Sequence, residues 1–329
     1  MDVLIAETME PEVLSWLASR HSVRCEPALA RDSKALRAQL PQVRALVVPA
    51  SVSMDAAALR AATQLRAIGR LTPTVDNIDL PACAARGIEI VRPGLASVQA
   101  EAEFAVGALL QMFRRVPVIS PDGLLVGREL SSATVGIIGM TQSAKPLADL
   151  LRAFGTRVIG YDPGLHASDP LWERWSIVPS GLRELMEESD GVCVLLNYFS
   201  RYRGLLGERY IQRSKADQVL VCLSSALILE EAALAEALSS GRMAAAWLDS
   251  VEPGMTAPGH PLHQLDSLQV TPRVASSTVD SHLRASWDVA RRLDDILNER
   301  SRAGPLAGAE LRAPPPAVRA GYPGAPRPG

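Results

Sequence analysis

Short apolar runs alternate with longer amphipathic segments along the first third of the chain. The runs are rich in Val, Ile, Leu and Ala and lie at 3–5, 45–48, 65–68 and 88–91. The segments between them, such as 11–21 and 54–62, place apolar residues at helical spacing. This alternation predicts βαβ units that form a parallel sheet.

A second alternating series follows residue 120. Its predicted strands lie at 134–138, 157–160, 192–196, 218–223, 244–248 and 268–271. Two long helical patterns, at 97–116 and 279–302, bracket this series. A chain that leaves one domain, builds a second and then returns has this pattern. We therefore predict a discontinuous first domain, comprising 1–97 and 285–302, and a second domain comprising 98–284.

Composition limits the remaining choices of protein class. Residues 303–329 contain seven prolines and five glycines. Such a segment buries too little apolar surface to offset the entropy of ordering it, which predicts a disordered tail. The 329-residue chain carries 34 basic and 36 acidic side chains. This near-neutral balance argues against a nucleic-acid-binding protein or a polybasic membrane protein.

The N-terminal segment and the cysteines predict a cytoplasmic protein. No uncharged apolar run reaches the ~18 residues needed to cross a bilayer, and the sequence opens with acidic residues where a signal peptide is basic. The four cysteines are far apart, and Cys193 and Cys222 lie in apolar strand patterns. We expect these two to be small buried side chains, with no thiol-bound metal.

The segment 134–163 has the pattern of a dinucleotide-binding βαβ unit. A predicted strand ends at Gly139, an amphipathic helix follows, and a second strand leads to Asp162, 23 residues after the glycine. An acid at about this spacing binds the adenosine ribose and disfavours a 2′-phosphate, so the pattern favours NAD over NADP. The second and third glycine positions of the motif hold Thr141 and Ala144.

The residue at the second glycine position leaves two interpretations open. The hydroxyl of Thr141 can donate to a phosphate, and Gln142 and Ser143 follow it at the start of the helix. Alternatively, the β-branched side chain fills the space that the pyrophosphate needs, and the unit no longer binds a dinucleotide. The candidate cofactor contacts here are Gly139, Thr141, Gln142, Ser143 and Asp162.

Several motifs resemble those of the D-2-hydroxyacid dehydrogenase family, which includes phosphoglycerate dehydrogenases and glyoxylate reductases. The similarity runs from residue 1 to about residue 300. The matching segments are IGRLTPTVDNIDLPACAARGIEI (68–90), AEFAVGALLQMFRRVP (102–117), LSSALILEEAAL (223–234) and LDSVEPGMTAPGHPLHQLDSLQVTPRVASST (248–278), together with 134–163. The resemblance implies a homodimer and two Rossmann-like α/β domains, with a doubly wound dinucleotide-binding domain inserted into a flavodoxin-like substrate domain.

The resemblance also assigns three catalytic roles, and this chain has a different residue in each. Ser225 matches the family's Arg, which binds the 2-keto-acid carboxylate. Gly254 matches the Glu that tunes the catalytic His, and Glu252 lies two residues earlier. Arg273 matches the His itself, the general acid–base. Because an arginine stays protonated near neutral pH, we predict that ordinary 2-keto-acid reduction is lost.

Other positions that the resemblance places at the cleft are changed as well. In the substrate-carboxylate loop, Thr72 and Thr74 flank a proline, which lacks a backbone donor. Arg92 stands where the family has an Asn. Thr72, Thr74 and Arg92 are the candidate substrate contacts, and we expect Arg70, Arg92 and Arg273 to face the cleft, where they would bind a small anion.

Two acidic residues of the family pattern are retained. They are Asp249, which in the family holds the nicotinamide carboxamide, and Glu103 of the hinge helix. Three hypotheses therefore remain open. The chain is an NAD-binding enzyme repurposed for altered chemistry on an anionic small molecule, or a non-catalytic ligand sensor or partner scaffold resembling the family's corepressors. The third is an NAD-dependent oxidoreductase with relocated catalytic groups.

Overall fold

The first part of the chain forms a five-stranded parallel sheet. A computed structural model describes residues 1–72, 74–114 and 127–302, with side chains up to residue 299. Pro73 and the predicted tail at 303–329 lie outside these ranges. The strands are β1 (Val3–Ile5), β2 (Val23–Cys25), β3 (Ala45–Val47), β4 (Ala67–Gly69) and β5 (Glu89–Val91). They lie in the order β2-β1-β3-β4-β5, and all neighbours are parallel.

Short helices connect these strands. They are α1 (Pro11–Ala18), α2 (Ser33–Gln39), α3 (Ala56–Ala61) and α4 (Leu80–Ala85). The last three begin after Asp32, Asp55 and Asp79, whose carboxylates accept hydrogen bonds from backbone amides of the first turn. An aspartate at this position satisfies a donor that the helix itself leaves unpaired, which explains where each helix starts.

The second sheet has seven parallel strands. They are β6 (Thr134–Ile138), β7 (Arg157–Tyr161), β8 (Val178–Pro179), β9 (Gly191–Val194), β10 (Val219–Cys222), β11 (Ala245–Leu248) and β12 (Leu268–Val270). Their order is β12-β11-β10-β9-β6-β7-β8. The direction of winding reverses between β6 and β9, and in such sheets ligands bind beyond the carboxyl ends of the strands at this reversal.

Helices cover both faces of the second sheet. They are α5 (Val98–Phe113), α6 (Ala144–Ala153), α7 (Pro170–Trp175), α8 (Leu182–Glu188), α9 (Glu208–Ile211) and α10 (Glu231–Ser239). The long helix α5 packs against α6 and β10. It approaches the sheet closely because Gly191 has no side chain, and a Cβ there would lie 2.8 Å from Cδ2 of Leu109.

The last helix returns to the first sheet. Helix α11 (Val279–Arg302) packs on α1, β4 and β5. Val289, Ala290 and Leu293 are fully buried with the apolar residues of β1, β3 and β4. Gly69 on β4 allows this approach, because a Cβ there would lie 2.7 Å from Cγ1 of Val289. The first sheet and the last helix therefore share one core.

Most predicted elements agree with the structure to within two residues. The helix predicted at 279–302 begins and ends at the same residues in the structure. The prediction missed β2 and β8, each of which is one of the two outer strands of its sheet. Both are short, and neither contains a buried residue. Because an edge strand packs on few neighbours, its sequence lacks the apolar run that identifies central strands.

The two strand cysteines are buried, as predicted. Cys193 on β9 and Cys222 on β10 are both fully buried, and burial raises the pKa of each thiol to about 12. At pH 8 the thiolate fraction of such a thiol is about a thousandfold below that of a free cysteine.

We expect dithiobis(nitrobenzoate) to leave Cys193 and Cys222 of the native protein unmodified, while the half-buried Cys25 reacts first. Equal rates for all the thiols before unfolding would contradict this packing.

Candidate functional site

A cavity of about 670 Å³ lies between the two sheets, beyond the carboxyl ends of several strands of the second sheet. It is lined mainly by loops that follow β6, β9, β10 and β11, and the segment before α5 completes its wall. The predicted site residues that line it are Thr74, Thr141, Gln142, Ser143, Ser225, Asp249 and Arg273. The structure therefore gathers into one place residues that are as many as 199 positions apart, from 74 to 273.

The turn after β6 is shaped by Gly139 and Asp162. Gly139 has a φ of +100°, and a Cβ there would collide with the backbone of Leu196, so only glycine fits. The Asp162 carboxylate accepts hydrogen bonds from the N–H of Met140 at 2.8 Å and of Gly164 at 2.7 Å. Asp162 thus ties the end of β7 to the turn, and it does not itself line the cavity.

The same turn offers unpaired backbone donors at the start of α6. The N–H groups of Thr141, Gln142 and Ser143 have no acceptor within the described ranges. Successive free amides at a helix N-terminus bind phosphate groups. Each Asp162 oxygen keeps a lone pair for a ribose hydroxyl. These residues therefore fit a dinucleotide, with residues 141–143 at the pyrophosphate and Asp162 at the adenosine ribose.

A buried carboxylate fixes the loop that carries Arg273. Asp249 is 4% exposed, and its oxygens accept from the hydroxyl of Thr271 at 2.6 Å and from the amides of Val274 and Ala275, each at 2.9 Å. The Arg273 amide donates to the Asp249 carbonyl at 2.6 Å. Arg273 has a φ of +57°, a left-handed conformation that costs ~1 kcal/mol or more. These four hydrogen bonds hold the residue in that conformation.

The side chain of Arg273 lies in the cavity wall without an acidic partner. Its Nε donates to the hydroxyl of Ser250 at 3.2 Å. In the part of the chain that the structure describes, no carboxylate lies within 4.0 Å of its guanidinium. A guanidinium that no carboxylate neutralises favours the binding of a carboxylate or phosphate ligand.

Ser225 and Glu252 form a polar pair in the wall of the same cavity. The Ser225 hydroxyl lies 3.4 Å from Oε1 of Glu252, and it also accepts from the amide of Leu227 at 3.3 Å. Gly254, which matches the family's Glu, has a φ of +93° and does not line the cavity. The loop therefore presents a carboxylate from Glu252, two residues before the matched position.

The hinge helix contributes Glu101 rather than the retained Glu103. Glu101 lines the cavity and accepts hydrogen bonds from the hydroxyls of Ser97 and Ser143. Glu103 is exposed and accepts from the amide nitrogen of Gln99 at 2.8 Å. Glu101 was not among the predicted site residues, although its spacing of one helical turn from Ser97 was a signal for it.

Two of the expected cleft arginines do not reach this cavity. The prediction for Arg70 was wrong: its side chain is fully buried and donates to the Val48 carbonyl at 3.2 Å and to the Thr72 hydroxyl at 2.9 Å. Burial lowers the pKa of Arg70. Arg92 is exposed beyond β5 and does not line the cavity. Thr72 lines a second cavity beside the first.

Comparison with known proteins identifies the architecture. Residues 112–275 match the family model for the NAD-binding domain of D-isomer specific 2-hydroxyacid dehydrogenases. The chain is also 30% identical over 298 residues to D-3-phosphoglycerate dehydrogenase of Mycobacterium tuberculosis, covering 88% of this chain. The chain belongs to the D-2-hydroxyacid dehydrogenase family. It spans about half (55%) of the length of that relative.

Two further relatives match the dehydrogenase fold over nearly their whole length. The (S)-sulfolactate dehydrogenase of Chromohalobacter salexigens is 28% identical over 294 residues, which are 87% of this chain and 95% of the relative. The TT0316 protein of Thermus thermophilus superposes with a TM-score of 0.74 at 25% identity, over 91% of this chain and 97% of that protein. The fold is therefore the two-domain α/β fold that was predicted, and its NAD-binding domain indicates NAD as the cofactor.

The described residues contain neither a helix that could span a membrane nor a cluster of metal-binding side chains. No helix among them is long and apolar enough to cross a bilayer. Within the same ranges, no group of three or more His, Cys, Asp or Glu side chains is arranged to hold a metal ion. The polar groups that line the cleft are an arginine, carboxylates, hydroxyls and backbone amides.

The role of Asp249 can be tested by its amide variant. Asp249→Asn keeps the size of the side chain, but its NH₂ group faces a backbone N–H that then lacks an acceptor. We expect the free energy of unfolding to fall by about 2 kcal/mol, measured by urea denaturation. Asp217→Asn is the matched control, because that side chain is 75% exposed and should change stability by less than ~0.5 kcal/mol. Equal effects of the two substitutions would show that Asp249 does not hold the loop.

Proposed function

We propose that this chain binds NAD and a small anionic molecule in its cleft, and that it has lost the family's ordinary reduction of 2-keto acids. The observation that supports this is Arg273. The buried Asp249 carboxylate holds its loop in place, its guanidinium has no carboxylate partner in the described residues, and it occupies the position that matches the family's catalytic His. An anion-binding group thus stands where the family has a proton-transferring one.

The magnitudes of the two replacements support the loss of ordinary reduction. A general acid–base contributes ~10²–10⁴ to the rate, and an arginine side chain does not take that role, because guanidinium groups do not release their protons near neutral pH. Ser225 in place of the family's Arg removes charge-assisted hydrogen bonds worth ~1.5–3 kcal/mol each. Both replacements would slow the usual reaction. Loss of the general acid–base raises the energy of the transition state, and loss of the family's Arg weakens substrate binding.

Each group of the cleft has a role in this proposal. NAD, when bound, supplies hydride transfer. The amides of Thr141, Gln142 and Ser143 would hold its pyrophosphate, and the Asp162 carboxylate would accept hydrogen bonds from the adenosine ribose. Arg273 would bind and orient the anionic group of the ligand. The pair of Ser225 and Glu252 would hydrogen-bond a second polar group of the same molecule.

A second candidate function is a ligand sensor without catalysis. One observation favours it: both oxygens of Asp249 already accept hydrogen bonds from the 271–275 loop, which leaves this carboxylate fewer lone pairs for a nicotinamide carboxamide. A sensor would bind NAD and an anion and leave both unchanged. The two functions differ in whether the absorbance of NADH at 340 nm falls while an anion is bound.

The cofactor proposal is tested by calorimetric titration with NADH. Because Asp162 is the proposed ribose acceptor, we expect Asp162→Ala to weaken binding by at least about tenfold, the value of one charge-assisted hydrogen bond. Asp217→Ala removes an exposed carboxylate of the same domain and should leave the affinity unchanged. Absence of NADH binding by the unmodified protein up to millimolar concentration would contradict the proposal.

The anion site is tested by titrating the protein with D-glycerate and with inorganic phosphate. We expect Arg273→Gln to weaken binding of the anion by about tenfold or more. Arg92→Gln is the matched control, because Arg92 is exposed and lines neither cavity, and it should leave binding unchanged. If Arg92→Gln reduced binding while Arg273→Gln did not, the anion site would lie at the edge of the first domain instead.

A further inference from the structure

A second cavity, of about 450 Å³, continues the cleft toward the start of α11. Neighbouring residues of three segments line the two cavities. Thr74 lines the first cavity and Thr72 the second, the segment 93–98 contributes alternately to both, and Ser276 lines both. The two cavities are therefore parts of one cleft. A ligand whose anionic end binds Arg273 can extend its other end past Ser276 into the second part.

The wall of the second cavity contains a histidine–carboxylate pair, His282 and Glu10. Nδ1 of His282 lies 3.2 Å from Oε1 of Glu10, so the Nδ1–H donates to the carboxylate. The side chains are 39% and 32% exposed. Nε2 of His282 has no hydrogen-bond partner among the described residues. An imidazole with a carboxylate on one nitrogen and the other nitrogen unoccupied is suited to proton transfer.

Two packed helices hold this pair in place. Glu10 immediately precedes α1, and His282 lies in the first turn of α11. The helices pack against each other through Trp16 and Trp287, whose ring centroids are 5.4 Å apart in an edge-to-face arrangement. The Trp287 indole N–H also donates to Glu12 at 3.1 Å. The position of the pair thus depends on rigid elements of the first domain's core.

We propose that His282 is the acid–base residue of this cleft and that Glu10 is its positioning residue. The inference rests on the proposed function, because it requires a ligand anchored at Arg273. The position that carries the acid–base His in the family holds an arginine here, and His282 is a histidine in the wall of the adjoining cavity. The ligand is then a small acid whose reacting carbonyl or hydroxyl group is separated from its anionic end, so that this group reaches the second cavity and the ligand differs from the 2-keto acids of the ordinary family reaction.

The proton balance is simple. In reduction, the ligand carbon gains a hydride with its electron pair, and reduced NAD is the source of that hydride. Nε2 of His282 gives its proton to the carbonyl oxygen, so that C=O becomes CH–OH. His282 is then neutral and takes up a proton from water through its exposed edge. In the oxidative direction Nε2 accepts the hydroxyl proton. The Glu10 carboxylate accepts the Nδ1–H hydrogen bond and so orients the ring for this transfer.

Charged groups lie around His282 on more than one element. Glu10 is in contact with it, and Glu7 of the same loop interacts with it electrostatically. Burial raises the pKa of Glu7, and the Arg70 guanidinium opposes that rise. On α11 itself, Arg284 donates to the Ala96 carbonyl at 3.0 Å. Two carboxyl groups therefore face the imidazole.

The test is an NMR titration of the histidine ring signals in the full chain, with D-glycerate as the probe. His282→Gln identifies the signal of His282 among the five histidines. Because the bound carboxylate and hydroxyl favour the imidazolium, we expect D-glycerate to raise the titration midpoint of His282 by about 0.5 pH units or more. Arg273→Gln should abolish this shift. Because Glu10 orients the imidazole, Glu10→Gln should reduce the shift that D-glycerate causes.

The outcomes separate this inference from the proposed function. If D-glycerate binds in an Arg273-dependent manner while the His282 signal does not move, the proposed function stands and the role of His282 is wrong. If D-glycerate does not bind at all, both fail. His263→Gln is the control: His263 bonds the Thr256 carbonyl outside both cavities, and its loss should leave D-glycerate binding and the His282 shift unchanged. A preserved circular dichroism spectrum establishes that each variant is folded.

Discussion

The cleft depends on one buried carboxylate, that of Asp249. Charge-assisted hydrogen bonds to its two oxygens determine the path of residues 271–275, and the resulting loop holds Arg273 in a left-handed conformation that an unsupported arginine would leave. Neither oxygen is left without a donor, so burial of the charge is compensated locally. The anion-binding character of the first cavity therefore originates in a residue that serves mainly as a scaffold.

At both ends of the cleft a carboxylate positions a loop, and a different group of that loop is available to a ligand. Asp162 ties the turn after β6 through the amides of Met140 and Gly164, and among the described residues the amides of 141–143 have no partner. Glu101 accepts from Ser143 at the helix that joins the two sheets. Changes at the ligand-facing positions, such as Ser225 and Arg273, are thus compatible with an unchanged framework.

The sequence allowed the fold and the location of the site to be predicted because strand periodicity and motif spacing are local properties of the chain. The direction in which a side chain points is not a local property, because it depends on packing between distant segments. Glu101 and Glu103 are two residues apart on one helix, and only packing decides that Glu101 faces the cavity. Arg70 was expected in the cleft, but its side chain is buried and donates to the carbonyl of Val48, 22 positions away. The pair of Glu10 and His282 is 272 positions apart and has no local signal at all.

The return of α11 to the first sheet has a consequence for biosynthesis. The core around Val289, Ala290 and Leu293 is incomplete until the last helix has left the ribosome, although β5 ends at Val91. At ~5–20 residues per second, the roughly 190 intervening residues take about 10–40 s to translate. During that interval the apolar faces of β1, β3 and β4 lack their cover, while the inserted domain has all of its strands. The first domain to begin synthesis is thus the last to finish folding.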